Sequence, residues 1–235
     1  MTPVNNEGIK QRLQAIRTRI DAAALSCGRN PDHIRLVAVS KTKPAQDIRE
    51  AFAAGADIFG ENYIQESIEK HELLRDLNLS FHFIGHLQSN KAKFAVKIFD
   101  LIHSVDSLKL ARELDRQAEK INKIQNILVQ VNISMEQSKS GVSEQEASDL
   151  VRDIGCLEHL SVKGLMTLPP FYNEPEKVKP YFKALRKLSD HIRGLDIPSV
   201  RMDELSMGMT GDFEAAIHEG STLVRIGTAL FGDRS

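Results

Sequence analysis

The chemistry of this chain starts with one lysine. In Leu36-Val37-Ala38-Val39-Ser40-Lys41-Thr42-Lys43-Pro44 a short apolar run ends on Lys41, and a proline then opens a new segment. The run has the length and β-branching of a buried strand. Pro44 suits the first turn of a helix, where its missing N–H costs nothing. Lys41 therefore stands at the carboxyl end of a strand, where α/β folds keep their chemistry. A lysine there can contact phosphate, close an ion pair or act as a Schiff-base amine. Lys43 shares the strand parity of Val37, Val39 and Lys41 if the strand extends that far. It directly precedes Pro44, however, and is expected to point to solvent, so position favours Lys41.

The second group of residues suits an anion. Ser206-Met207-Gly208-Met209-Thr210-Gly211-Asp212 joins a strand to a short helix, and Gly227-Thr228 follows the last strand. Glycines let backbone N–H groups approach phosphate oxygens, and a helix N-terminus adds its positive dipole end. A pair of tight turns is the bland reading of the same glycines. Asp212 argues against an anion unless it caps its helix and points away. A phosphate site beside a strand-end amine suits a phosphorylated aldehyde bound as an imine. Pyridoxal phosphate (PLP) is one such ligand, and the substrate of a Schiff-base sugar-phosphate aldolase is another.

Positioning these groups takes an alternating α/β chain. Ile9, Leu13, Ile16, Ile20 and Ala24 line one face of a first helix that ends near Gly28. Strands are expected at 57–62, 81–85, 101–105, 127–132, 160–168, 205–207 and 222–226 after the one that carries Lys41. Helices are expected between them, at 45–54, 64–77, 90–98, 108–121, 143–154, 176–194 and 212–218. Ser143 and Glu146 fit a capping box. A helix followed by eight such strands predicts one (β/α)8 barrel of class α/β, residues 1–235 forming a single domain. An open doubly wound sheet is the alternative, but the Gly-rich dinucleotide fingerprint is missing after the first strand. A barrel opens all its strand ends on one face. Lys41, Asn62, His86, Asp106, Asn132, Met166, Ser206, Arg225, Gly227 and Thr228 are therefore expected to share one pocket.

Composition narrows the partners. The net charge of −1, from 31 basic and 32 acidic residues, gives no electrostatic reason for a nucleic-acid or membrane-surface partner. Cys27 and Cys156 cannot form a four-thiolate zinc site and suggest no disulfide scaffold, so a reducing, cytoplasmic location is expected. The N-terminal Met1–Glu7 has no secretory core, and no apolar run reaches membrane-spanning length. The histidines include no H-E-x-x-H pair, and His82 and His86 read as a strand-surface and a pocket-rim residue with no third metal ligand.

Several blocks of this sequence belong together. Ala38–Pro44, Phe59-Gly60-Glu61-Asn62-Tyr63-Ile64-Gln65-Glu66, Phe83-Ile84-Gly85-His86-Leu87-Gln88-Ser89-Asn90-Lys91, Lys163-Gly164-Leu165-Met166, Leu205-Ser206-Met207-Gly208-Met209 and Val224–Gly232 strongly resemble the pyridoxal phosphate homeostasis proteins, also called the YggS or proline synthetase co-transcribed family. The match runs in order over nearly the whole chain. The resemblance implies an alanine-racemase-like barrel with PLP as a Schiff base on Lys41. It implies phosphate contacts from Ser206, Gly227 and Thr228 with nearby backbone amides, an Arg225 contact to the pyridine nitrogen, and Asn62, Met166 and Met207 near the cofactor. His86 receives no catalytic role.

The family is associated with vitamin B6 and amino-acid homeostasis, so a PLP carrier that delivers to apo-enzymes or free amines is the leading expectation. The alternative is a PLP-dependent amino-acid racemase, which needs acid–base groups on both faces of the substrate carbon. Lys41 could serve one face. Alanine racemases supply the other from a tyrosine in a second domain, and Tyr63, Tyr172 and Tyr181 do not sit in a matching context. Efficient racemisation and a metal are therefore not expected, and a monomer is.

Overall fold

The computed structural model describes residues 8–136, 139–170, 172 and 174–232; the N-terminal heptapeptide read above lies outside them. Eight strands, β1 (Arg35–Val39), β2 (Ile58–Glu61), β3 (Ser80–Phe83), β4 (Leu101–Val105), β5 (Gln125–Gln130), β6 (Leu160–Met166), β7 (Val200–Ser206) and β8 (Leu223–Ile226), form a closed barrel in chain order. All neighbouring pairs are parallel, and β1 closes on β8 through Leu36 opposite Val224. The (β/α)8 expectation holds.

Each strand is joined to the next through helix. The helices are α1 (Ile9–Ser26), α2 (Ala45–Ala53), α3 (Ile64–Leu73), α4 (Ala92–Ile98), α5 (Leu108–Glu119), α6 (Glu144–Gly155), α7 (Lys179–Arg193), α8 (Phe213–His218) and α9 (Thr228–Phe231). The extra first helix α1 buries Leu13, Ile16 and Ile20 and lies against α2, α8 and α9. Pro44 is the cap of α2, one residue before the helix. Ser143 caps α6 by accepting the N–H of Glu146, as its spacing predicted.

Strand alternation sorts the side chains into two layers. Ala38, Phe59, Phe81, Phe83, Ile102, Ile127, Leu165, Leu205, Met207 and Val224 face outward and form the main core between sheet and helices. Val37, Ile58, Leu101, Leu128, Met166 and Leu223 face inward and make a small separate apolar cluster inside the barrel. Other inward positions are polar: His82, His103, Ser206 and Arg225 are all buried, with Arg225 beside Val37 and Ser206 beside Met166 in the strand register.

Candidate functional site

The amine-bearing turn is held from both sides. Lys41 and Thr42 lie in the tight turn between β1 and α2, and Thr42 takes a left-handed backbone, φ 64°. That conformation costs a non-glycine residue about 1–2 kcal/mol, so something must hold it. Glu66 of α3 does, accepting the Thr42 N–H at 2.6 Å. On the other side, Lys70 Nζ donates to the Ser40 carbonyl at 2.6 Å and contacts Glu61 at 2.7 Å and Glu66 at 2.6 Å. Ser40 Oγ donates to Glu61 at 2.6 Å. A buried ammonium with three acceptors is thus satisfied by groups flanking Lys41. Burial raises the pKa of Glu61, while Lys70 and Ser40 pull it back.

The cavity at this end has a volume of about 350 Å³. Lys41, Asn62, Arg225, Gly227 and Thr228 line it, with Val39, Ile84 and Leu168 as apolar wall. Lys43 is not among the lining residues. Asn62 is drawn in by Gly85, where a Cβ would stand only 2.2 Å from the Asn62 carbonyl oxygen. Its Oδ1 is buried with no hydrogen-bond partner among the described residues.

The anion loop takes a different form from the one expected. Gly208, with φ 92°, lets the chain pass α8, where a Cβ would lie 2.6 Å from that of Ala216. Thr210 and Gly211 then reach the cavity wall. Asp212 also lines the cavity. It neither caps α8 with its side chain nor points away; its Oδ1 accepts the Met209 N–H at 2.6 Å and ties the loop together. Burial raises its pKa. Helices α8 and α9 span only six and four residues, so local N–H donors matter more here than a macrodipole. The backbone N–H groups of Thr210, Gly211, Gly227 and Thr228 have no backbone acceptor among the described residues.

Three residues expected at the cofactor, Met166, Ser206 and Met207, do not line the cavity. Met207 follows inward-facing Ser206, so alternation turns it out into the helix layer. Met166 belongs to the apolar plug inside the barrel. Ser206 lies beneath Arg225, whose Nη1 donates to its Oγ at 2.5 Å, and contacts His103 at 2.9 Å. With its hydroxyl committed there, Thr210 is the hydroxyl on the cavity wall in that loop. The single strand-end pocket also divides. His86 and Asp106 line a separate groove of about 410 Å³. The Asn132 amide orders its own loop by donating to the Glu136 and Lys139 carbonyls.

Sequence reasoning missed the buried polar group inside the barrel. His82 is inward and buried, not on a strand surface, with its Nδ1 3.0 Å from His103 Nε2. Strand parity carried that signal, because Phe81-His82-Phe83 puts the histidine opposite two outward phenylalanines. Burial lowers the pKa of His82 to about 3 and that of His103 well below the usual value. Desolvation also lowers Arg225, to about 10, which leaves it charged at neutral pH. Tyr172 is a second omission: it reaches the cavity wall, its hydroxyl 3.0 Å from that of Tyr181. Among the described residues no cluster of three or more metal-ligating side chains occurs, and no helix is long and apolar enough to cross a membrane.

The family model of the alanine racemase N-terminal domain matches residues 11–235. A pyridoxal phosphate homeostasis protein of Aquifex aeolicus is 43% identical over 224 residues, 95% of this chain and 97% of that protein. The chain belongs to the alanine racemase N-terminal domain family and, within it, to the pyridoxal phosphate homeostasis proteins. The solved structure of PipY of Synechococcus elongatus with PLP bound superimposes with a TM-score of 0.85 at 37% identity, covering 95% of this chain and all of that one. An alanine racemase of Clostridium difficile shares the fold, with a TM-score of 0.75 at 15% identity; the match covers 95% of this chain and 57% of the racemase.

Proposed function

We propose that the protein binds pyridoxal 5′-phosphate in the Lys41 cavity and acts in vitamin B6 and amino-acid homeostasis, holding the cofactor for release to apo-enzymes or free amines. One observation carries the reading: a primary amine, a buried guanidinium and two glycine–threonine loops with spare N–H donors meet in one cavity. The residues present fit the group. Thr210, Gly211, Gly227 and Thr228 offer hydroxyl and backbone donors suited to phosphate, the orphaned Asn62 Oδ1 awaits a donor, and Val39, Ile84 and Leu168 suit an aromatic face. When bound, PLP supplies an aldehyde that condenses reversibly with amines.

The protein's own groups favour holding over turnover. Lys41 is the amine held at the cavity edge by the Glu61–Lys70–Glu66 brace. Arg225 has donors only and keeps its charge. A ring nitrogen facing it accepts a hydrogen bond without gaining the proton and remains a weak electron sink. Racemisation needs an acid–base group on each face of the substrate carbon, and the Tyr172 hydroxyl is already paired with Tyr181. The reading takes residues 1–235 as one cytoplasmic, monomeric domain, with the unpaired Cys27 and Cys156 in support.

Titration with PLP tests it. The wild type should develop the absorbance of an imine, lose it on adding an apo-enzyme that becomes active, and produce no D-amino acid from the L form. Uptake without any transfer to apo-enzyme or amine would contradict the carrier role, and rapid racemisation would establish the alternative.

A further inference from the structure

Inside the barrel four buried side chains form one line, and chemistry fixes its direction. Arg225 Nη1 donates to Ser206 Oγ at 2.5 Å and its Nη2 to the Thr167 carbonyl at 2.9 Å. A guanidinium cannot accept, so Ser206 must receive that bond and send its own proton elsewhere. Its remaining partner among the described residues is His103 Nδ1, at 2.9 Å. The imidazole proton of His103 is then on Nε2, which donates to His82 Nδ1 at 3.0 Å. His82 in turn carries its proton on Nε2. The chain runs one way, from Arg225 through Ser206 and His103 to His82, with both rings neutral.

A second proton on either ring has no place to go. On His103 it would take the second lone pair of the Ser206 hydroxyl and leave that hydroxyl's own proton without an acceptor among the described residues, and on His82 it would face the His103 N–H. The charged groups bearing on the two rings are Arg225 and Arg35, both cations. Glu204, on β7, is paired with Arg35.

We propose that His103 is a positioning residue: acting through Ser206, it fixes the Arg225 guanidinium so that its remaining N–H groups face the cavity. What the arginine meets there rests on the PLP reading above; the order of the hydrogen bonds does not. Held at two of its N–H groups, the guanidinium loses little further freedom on meeting a ligand, which is the benefit of preorganisation.

The first test uses ligand-free protein labelled with 15N in histidine and arginine. His82 and His103 should both show the Nε2–H tautomer with no titration between about pH 5 and pH 8, against an ordinary histidine midpoint of about 6.5. The N–H signals of Arg225 Nη1 and Nη2, the two held nitrogens, should be resolved and protected from exchange. Replacing His103→Phe keeps a planar ring and removes the acceptor, and should abolish that protection. His103→Gln, whose amide can accept from Ser206 and donate to His82, should restore it. A His103 that titrates in this range, an Nδ1–H tautomer, or equal behaviour of the two variants would overturn the proposal.

The second test measures PLP affinity. His103→Phe should weaken it by about tenfold, the size of one hydrogen bond to a charged group, with His103→Gln within about twofold of the wild type. Unchanged affinity in His103→Phe counts against the proposal. A wild type that takes up no PLP overturns the functional reading alone, because the tautomers and the Arg225 signal are read without ligand.

Discussion

Replacing Lys70→Met tests how the lysine-bearing turn is held. The substitution keeps most of the side-chain volume and removes the cation that meets Ser40, Glu61 and Glu66 at 2.6–2.7 Å. Glu61 is then a carboxylate with no exposed surface and only the Ser40 hydroxyl as donor. Removing one member of a buried ion pair costs about 3–5 kcal/mol. With a urea m value of about 3 kcal/mol per molar, the midpoint should fall by about 1–1.7 M at neutral pH. The double variant Lys70→Met/Glu61→Gln discharges the stranded group, so the two changes should couple by about 1–3 kcal/mol.

The pH dependence has a defined sign. The folded-state pKa of Glu61 is raised, and it should rise further once the lowering contribution of Lys70 is gone. A folded carboxylate with a raised pKa binds more protons than the unfolded chain does, so stability is regained as pH falls through the folded pKa. The deficit of Lys70→Met relative to wild type should therefore shrink from about pH 8 toward about pH 5. The assay is urea unfolding of all four proteins at several pH values. Additivity within about 0.5 kcal/mol, or a deficit independent of pH, would refute the brace.

Other consequences are open to the same methods. The folded pKa of His82 is about 3 and that of His103 well below normal, so below about pH 6.5 the unfolded chain binds protons that the folded one does not. Stability should fall with pH by up to about 2.7 kcal/mol per unit for the pair, and His103→Gln should remove roughly half of that slope in urea melts. Gly208→Ala should destabilise by about 2 kcal/mol or more, because it combines a positive φ with a 2.6 Å approach to Ala216. Gly211→Ala, with no atom within 4 Å of the added Cβ, should stay within about 0.5 kcal/mol. Arg225→Gln should weaken PLP binding by about tenfold or more in an absorbance titration.

Much of the barrel was legible because parallel strands read as short apolar runs between helical patterns. The boundaries that failed depend on distant partners. β7 starts at Val200 and not at Leu205: the polar Arg201, Asp203 and Glu204 hide the strand, and Glu204 is accommodated by Arg35 of β1 and by Thr222, just before β8. β5 starts at Gln125, whose buried amide bonds to the Asp100 and Asn126 carbonyls. Helix α9 is too short to show a period.

The same division applies to the site. Lys41, Gly227 and Thr228 could be placed because their signal is local: a strand end followed by a turn. Parity alone would have turned Met207 outward and His82 and His103 inward. The Glu66–Lys70 spacing of four was visible as a helix pair, but its bonds to Ser40 and Thr42 arise only when α3 folds beside the β1 turn. Ser206 went to phosphate by resemblance, and only the structure reveals that Arg225 already holds its hydroxyl.

Whether Lys41 is the amine that holds PLP can be read by borohydride reduction of the PLP-incubated protein followed by peptide mass mapping. A phosphopyridoxyl group is expected on Lys41 and is expected to be absent from a folded Lys41→Ala variant. An adduct on Lys43 or elsewhere, or none on any lysine, would contradict that assignment.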